Sequence, residues 1–232
     1  MNISSVLYCE VLKVLRSKVF WLSFVLFSIS LGIMALGFEQ RSWTAYFDSF
    51  LTLAANMGLI VNFSIASWVF GREFTDKTNK DLVAKPTSRA TVVLSKFIII
   101  FLWGIVFMIF LFLFSLAVGL LLGLTEFTSA LVAGAFQKFI VTSLLYILIS
   151  TPGAFFASLS KGILAPIGIL FVIAIAANVL GNTGVAIYFP WTIPNLFLET
   201  GYLNPVSIAI LISTGIAGII GTFAWWRFAE QE

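Results

Sequence analysis

Between Val92 and Leu124 the chain carries a single charged side chain, Lys96, in a run otherwise built almost wholly of apolar residues. A hydrocarbon core about 30 Å thick takes roughly 20 apolar residues of helix to cross, and this run exceeds that length. Similar stretches recur at about 19–38, 50–70, 130–159, 163–180 and 206–228. A strand of a transmembrane barrel needs only about 9–11 residues of alternating polarity. Backbone amides in lipid must find partners within their own segment, so runs this long and uniform predict helices. The fold class expected is all-α: a polytopic membrane protein with six transmembrane helices. It forms one transmembrane domain over residues 1–232, with no repeat and no connector long enough to fold alone. The composition agrees, since 10% of residues are charged against about a quarter in soluble domains.

Residues 2–18 place Ile3, Leu7, Val11, Val14 and Leu15 on one helical face, with Ser5, Cys9, Lys13 and Arg16 opposite. This pattern predicts a helix lying in the headgroup plane, its basic side toward water and anionic lipid, rather than a merely polar flank. Lys13, Arg16 and Lys18 ahead of the first span also resemble the start of a signal peptide, with the small residues 35–37 as its cleavage site. The apolar run is longer than the 7–15 residues of such a signal, which favours a retained anchor. Lys and Arg counts set the orientation. With the amino terminus in the cytosol, eleven lie inside, and only Arg41 and Lys138 lie outside. Both termini are therefore expected in the cytoplasm.

The inner charge is concentrated in one connector. From Arg72 to Lys96 stand six Lys or Arg and three Asp or Glu. The stretch at 71–78 approaches a phosphate-binding loop, with Gly71, Lys77 and Thr78 in register. However, Asp76 occupies the second glycine's place and sets a carboxylate where backbone amides must meet phosphate. The spacing from Arg72 to Val83 instead predicts a short cytosolic helix with Phe74, Thr78 and Leu82 as an exposed apolar ridge between charges. Pro86 ends it, and Ser88 caps the next helix, which carries Arg89 and Lys96 at the bilayer edge. An ordinary positive-inside loop would account for the Lys and Arg but not for the interleaved Glu73, Asp76 and Asp81.

These residues carry a resemblance. Glu10, Lys13 and Arg16 match an "E-x-x-K-x-x-R" pattern. Phe70, Glu73, Thr78, Leu82, Pro86, Ser88, Arg89 and Lys96 are similar to a pattern that follows the second span in the membrane subunits of ABC type-2 transporters. The small six-span bacterial permeases of the drug and peptide-antibiotic immunity group are the nearest in layout. Lys77 departs from the pattern, standing where members usually have glycine.

The resemblance implies that residues 72–83 are a coupling helix seated on a separate ABC ATPase, with Arg72, Glu73, Phe74, Asp76, Thr78, Leu82, Pro86 and Arg89 at the junction. It implies two ATPase copies and a second membrane subunit, identical or paralogous, in the bacterial cytoplasmic membrane. ATP and Mg would be bound by the partner ATPase, with no cofactor in this chain.

Between Asn182 and Asn204 two prolines and several aromatics make a segment too apolar for a solvated loop and too broken for a span. It predicts an outer re-entrant hairpin in which Pro190, Trp191, Pro194 and Phe197 form either an outer gate or an aromatic belt at headgroup level. Asn56, Asn62, Ser67 and Asn178 read chiefly as interhelical hydrogen-bonding groups. Phe107, Phe110 and Phe114 read as a lipid-facing stripe, with a greasy substrate wall as the alternative. Glu126 and Lys138 are costly in hydrocarbon, and either serve function or sit at the outer interface. Gly119 with Gly123, and Gly215, Gly218 and Gly221, suit close helix packing or dimerisation.

Three functions compete. An exporter permease moving a hydrophobic or amphipathic substrate such as a peptide antibiotic, peptide toxin or drug fits the apolar spans. A self-powered secondary transporter needs acidic residues at mid-span, and none falls there. An intramembrane enzyme lacks its parts, since histidine is absent and the single cysteine, Cys9, offers no cluster for a metal. No catalytic residue and no metal site are assigned. The pI of 9.1 is topological in origin and does not point to nucleic acid.

Overall fold

A computed structural model describes residues 3–77 and 88–228. Among these the protein is helical apart from its connectors, with one isolated bridge between Ser42 and Thr125. In chain order the helices are α1 (Ile3–Leu15), α2 (Lys18–Leu36), α3 (Trp43–Thr75), α4 (Arg89–Leu121), α5 (Ser129–Ile149), α6 (Thr151–Leu159), α7 (Leu164–Gly181), α8 (Ile193–Thr200) and α9 (Pro205–Phe228). Six units are long and apolar enough to cross a membrane: α2, α3, α4, α5 together with α6, α7 and α9. The protein is a polytopic all-α membrane protein.

Hydroxyls fix where the long helices begin. Ser17, Ser42, Ser88 and Thr128 each accept a backbone N–H of the first turn of α2, α3, α4 and α5. A cap of this kind is worth about 1 kcal/mol. α5 and α6 form one span broken at Ser150, because Pro152 lacks an N–H and its ring conflicts with the preceding turn. The Ser150 hydroxyl donates to the Ile147 carbonyl at 2.7 Å and occupies an acceptor left at the break.

α6 lies between α3 and α9. The α9 crossing is close because Gly218 has no side chain: a Cβ there would come within 2.5 Å of Pro152 N and 2.6 Å of the Thr151 carbonyl carbon. The Thr151 hydroxyl donates across this contact to the Gly215 carbonyl at 2.8 Å. Trp43, Tyr46, Phe47, Phe50, Phe112 and Phe139 fill the opposite end of the bundle. There the Tyr46 hydroxyl donates to the Ser115 carbonyl at 2.9 Å, so its polar end is satisfied.

The segment after α7 turns through a short 3₁₀ helix, Ala186–Tyr188, and enters α8. Ile193 and Pro194 are buried, and the Tyr146 hydroxyl donates to Asn195 Oδ1 at 2.8 Å. Tyr146 lies about 25 Å along α5 from its first residue at 1.5 Å per residue, so α8 reaches well down the bundle. Gly201 at φ 69° then ends α8 in the left-handed conformation.

Several sequence expectations are corrected. No separate helix starts at Arg72: α3 runs unbroken from Trp43 to Thr75, making Arg72–Thr75 its last turn. Nothing between Phe70 and Thr75 breaks a helix, and the bare Cα of Gly71 admits the carbonyl of Gly162, whose oxygen would lie 2.7 Å from an added Cβ. Of the ridge, Thr78 and Leu82 lie outside the described residues. Phe74 is half-buried rather than exposed, with its ring centroid 5.6 Å from that of Trp225 and 6.0 Å from that of Trp226.

On α1 the buried residues are Val6, Glu10 and Val14, one helical stripe that seats on α4. The face predicted from apolar residues alone is displaced because a glutamate takes a buried position. Phe107 is buried, and Phe107 and Phe110 pack on Phe24 of α2 at 5.2 and 4.8 Å, so this stripe faces a neighbouring helix and not lipid. Gly215, Gly218 and Gly221 face Leu148, Pro152 and Phe155 of the same chain.

Candidate coupling site

Three elements deliver charge to one place. α1 supplies Glu10 and Lys13, which are one turn apart. The last turn of α3 supplies Glu73, and α4 supplies Lys96 in its second turn. Lys96 has no exposed surface, Glu73 none, and Glu10 only 3%.

Placing an ion in such surroundings costs several kcal/mol, on the order of the penalty after relaxation, unless partners surround it. Here they do. Lys96 Nζ donates to Glu73 Oε1 at 2.7 Å, to Glu10 Oε2 at 3.2 Å and to the Val69 carbonyl at 3.0 Å. All three of its protons are thereby accepted. Lys13 Nζ donates to Glu10 Oε1 at 2.7 Å and to Glu73 Oε1 at 2.9 Å. Two ammoniums and two carboxylates balance to zero, and Glu73 Oε1 takes a proton from each lysine.

Lys13 is the member that reaches solvent, with 30% of its side chain exposed. Burial by itself would lower its pKa. The adjacent carboxylates of Glu10 and Glu73 outweigh that effect and hold it above the ordinary lysine value. The cluster therefore stays charged at neutral pH at its wet edge.

The surroundings extend the lock. Arg72 donates to the Lys13 carbonyl at 3.4 Å, lies 3.9 Å from Asp76, and places its guanidinium 4.6 Å above the Trp68 ring. Arg89 donates to the Trp226 and Arg227 carbonyls at 3.2 and 3.4 Å, joining the start of α4 to the end of α9. Trp226 is itself buried, its indole N–H donating to the Ser158 hydroxyl at 3.0 Å. Asp76 closes α3 and is exposed, and Lys77 follows at φ 55°, a left-handed conformation that a side chain disfavours. This is the position where the resembling family usually has glycine.

Of the residues singled out from sequence, the structure brings together Glu10, Lys13, Arg72 and Glu73. Arg89 stands apart at α9. Arg16 is exposed beyond the end of α1, and Pro86 lies outside the described residues. Lys96 was read as a bilayer-edge charge, and its burial was not anticipated. The signal was available, since a lone lysine inside an apolar run implies a carboxylate partner.

At the other candidate region, Trp191 and Asn195 line a recess of about 240 Å³ with Asn56, Tyr146 and Asn178. The indole N–H of Trp191 is buried without a partner. Pro194 is buried, and Pro190 and Phe197 are half-buried. Glu126 is exposed in the α4–α5 connector at φ 65°.

Comparison with known proteins agrees with this architecture. Residues 6–177 match the model of a family described as "ABC-2 family transporter protein". The chain is also 22% identical over 184 residues to the "Bacitracin transport permease protein BCRB" of Bacillus licheniformis, covering 78% of this chain and 88% of that one. With helices, ion cluster and profile in accord over most of its length, the chain belongs to the ABC-2 family of transporter proteins.

Proposed function

We propose that the protein is the membrane-spanning permease subunit of an ATP-driven exporter, powered by a separate ABC ATPase and moving an amphipathic molecule such as a peptide antibiotic, peptide toxin or drug out of the cell. The single observation that carries this reading is the buried Glu10–Lys13–Glu73–Lys96 cluster, which ties α1, α3 and α4 together where the charged connector leaves α3. A push delivered to that connector would be shared at once by three helices. A second membrane subunit completes the assembly, and both termini face the cytoplasm, in keeping with the Lys and Arg asymmetry. ATP and Mg belong to the partner.

An amphipathic cargo is supported by the recess at Asn56, Asn178 and Asn195, where neutral amides stand among apolar walls. The printed name of the bacitracin permease adds weight to a peptide antibiotic. Asp76 and Lys77 are exposed at the end of α3 and are the described residues best placed to touch an ATPase.

The test is reconstitution with an ABC ATPase co-expressed from the neighbouring reading frame. Transport of a peptide antibiotic in proteoliposomes should require ATP, and Asp76→Lys with Lys77→Glu should lower ATPase co-purification while the membrane subunit stays folded. Full transport without nucleotide would overturn the reading in favour of a self-powered transporter.

A further inference from the structure

The ion cluster does not absorb all of the charge at this end of the molecule. A recess of about 490 Å³ opens beside it, lined by Lys13, Arg16, Ser17, Trp68, Arg72 and Asp76. Three cations face one carboxylate. Among the described residues no carboxylate forms an ion pair with Arg16, and Arg72 meets Asp76 only at 3.9 Å. The floor is rigid, because Arg72 is stacked on Trp68 and held by the Lys13 carbonyl.

The recess sits where α1 turns into the first long apolar helix. On that helix Trp21 is 58% exposed, its indole N–H donating to the Leu15 carbonyl at 3.0 Å. An exposed indole with its polar edge anchored is the arrangement favoured at headgroup level. Leu15 and Leu22 are also exposed nearby and give apolar surface beside the charged recess. Basic groups at hydrogen-bonding distance with greasy surface alongside suit an anion that carries acyl chains.

We infer that this recess binds the phosphate headgroup of an anionic glycerophospholipid, held by Arg16 and Arg72 and donated to by Ser17, with its chains along α2. A bound lipid bridges α1 and α3 on the wet side of the ion cluster and stiffens the junction between them. The assignment needs only that α1 lie at the bilayer surface. It holds whether or not the chain works with an ATPase, so its failure would leave the transporter reading untouched.

Cys9, the chain's single cysteine, is exposed on the recess wall and reports occupancy. The purified full chain in detergent is titrated with dihexanoyl phosphatidylglycerol, with dihexanoyl phosphatidylcholine and with inorganic phosphate. Alkylation of Cys9 by an uncharged maleimide is followed, and native mass spectrometry counts bound lipid. Phosphatidylglycerol should protect Cys9 and remain bound, and phosphatidylcholine should do neither. Arg16→Gln should weaken phosphatidylglycerol about fivefold, from roughly 1 kcal/mol per basic residue near anionic lipid, and Arg16→Lys should restore most of it. Arg72→Gln serves as the second variant, checked for folding by its unfolding midpoint.

Equal protection by the two lipids, or phosphatidylglycerol binding unchanged in both Gln variants, would overturn the site. Protection by inorganic phosphate as strong as that by phosphatidylglycerol would overturn the lipid assignment. Protection that appears only when an acidic partner protein is added would also overturn it.

Discussion

Lys96→Met is the substitution that most directly tests the ion cluster. The thioether keeps most of the apolar stem of a side chain with no exposed surface, so packing is nearly conserved and the ammonium is what is lost. Removing it leaves Glu10 and Glu73 facing Lys13 alone. The buried group goes from neutral to a charge of minus one, and the Val69 carbonyl loses its lysine donor.

Breaking a buried ion pair by removing one partner costs about 3–5 kcal/mol, chiefly because the other charge stays behind. Glu73→Gln should cost a similar amount for the opposite reason, a surplus cation. The double variant returns the group to one lysine and one glutamate. It should be less damaged than the sum of the singles by up to about 3 kcal/mol. Unfolding by SDS titration in mixed micelles gives all four stabilities of the cycle. A loss below about 1 kcal/mol for Lys96→Met, or strictly additive singles, would refute the claim that these charges depend on one another.

Four further outcomes are expected. Lys77→Gly relieves a left-handed side chain and should raise stability by about 1 kcal/mol in the same titration; a destabilised variant would contradict this. Gly218→Val drives a side chain into the backbone at Thr151 and Pro152, which cannot yield. It should cost about 1–3 kcal/mol, and Gly168→Val, with open space around it, should leave this helix contact intact. Lys13 has a raised pKa, so its contribution is fully present below the ordinary value of 10.5 and is lost as pH rises through its higher folded value. The stability gap between wild type and Lys13→Gln should therefore be flat below 10.5 and close at more alkaline pH. Tyr146→Phe removes the hydrogen bond to Asn195 at a cost of about 1 kcal/mol, and hydrogen exchange in α8 should quicken, with unchanged exchange counting against the tether.

The helices that cross the bilayer were legible because apolar runs longer than a bilayer leave the backbone no other choice. The cap at Ser88 was legible too, since a serine after Pro86 and ahead of an apolar run has one obvious use, and its hydroxyl accepts the Thr91 N–H at 3.1 Å. The true end of α3 was not. A glycine followed by charged residues looks like the start of something new, and only the approach of Gly162 reveals why Gly71 sits inside a helix. Glu10 and Lys96 stand 86 residues apart, and no local pattern states that they touch. Each was visible as an oddity, an acid in an amphipathic helix and a lysine in a greasy one. Their meeting is a property of the tertiary packing. Phe107 misled for a related reason, since in a membrane protein apolarity does not distinguish a lipid neighbour from a protein one.

Gly71 has one more consequence. It rests against the backbone of Gly162 about 6 Å from the end of α3 at Thr75, leaving about 42 Å of the same straight rod on the other side at 1.5 Å per residue. A crossing so near one end works as a fulcrum. Sideways travel of 1 Å at the short arm corresponds to about 7 Å at Trp43, so a small stroke on one face of the membrane becomes a wide sweep on the other.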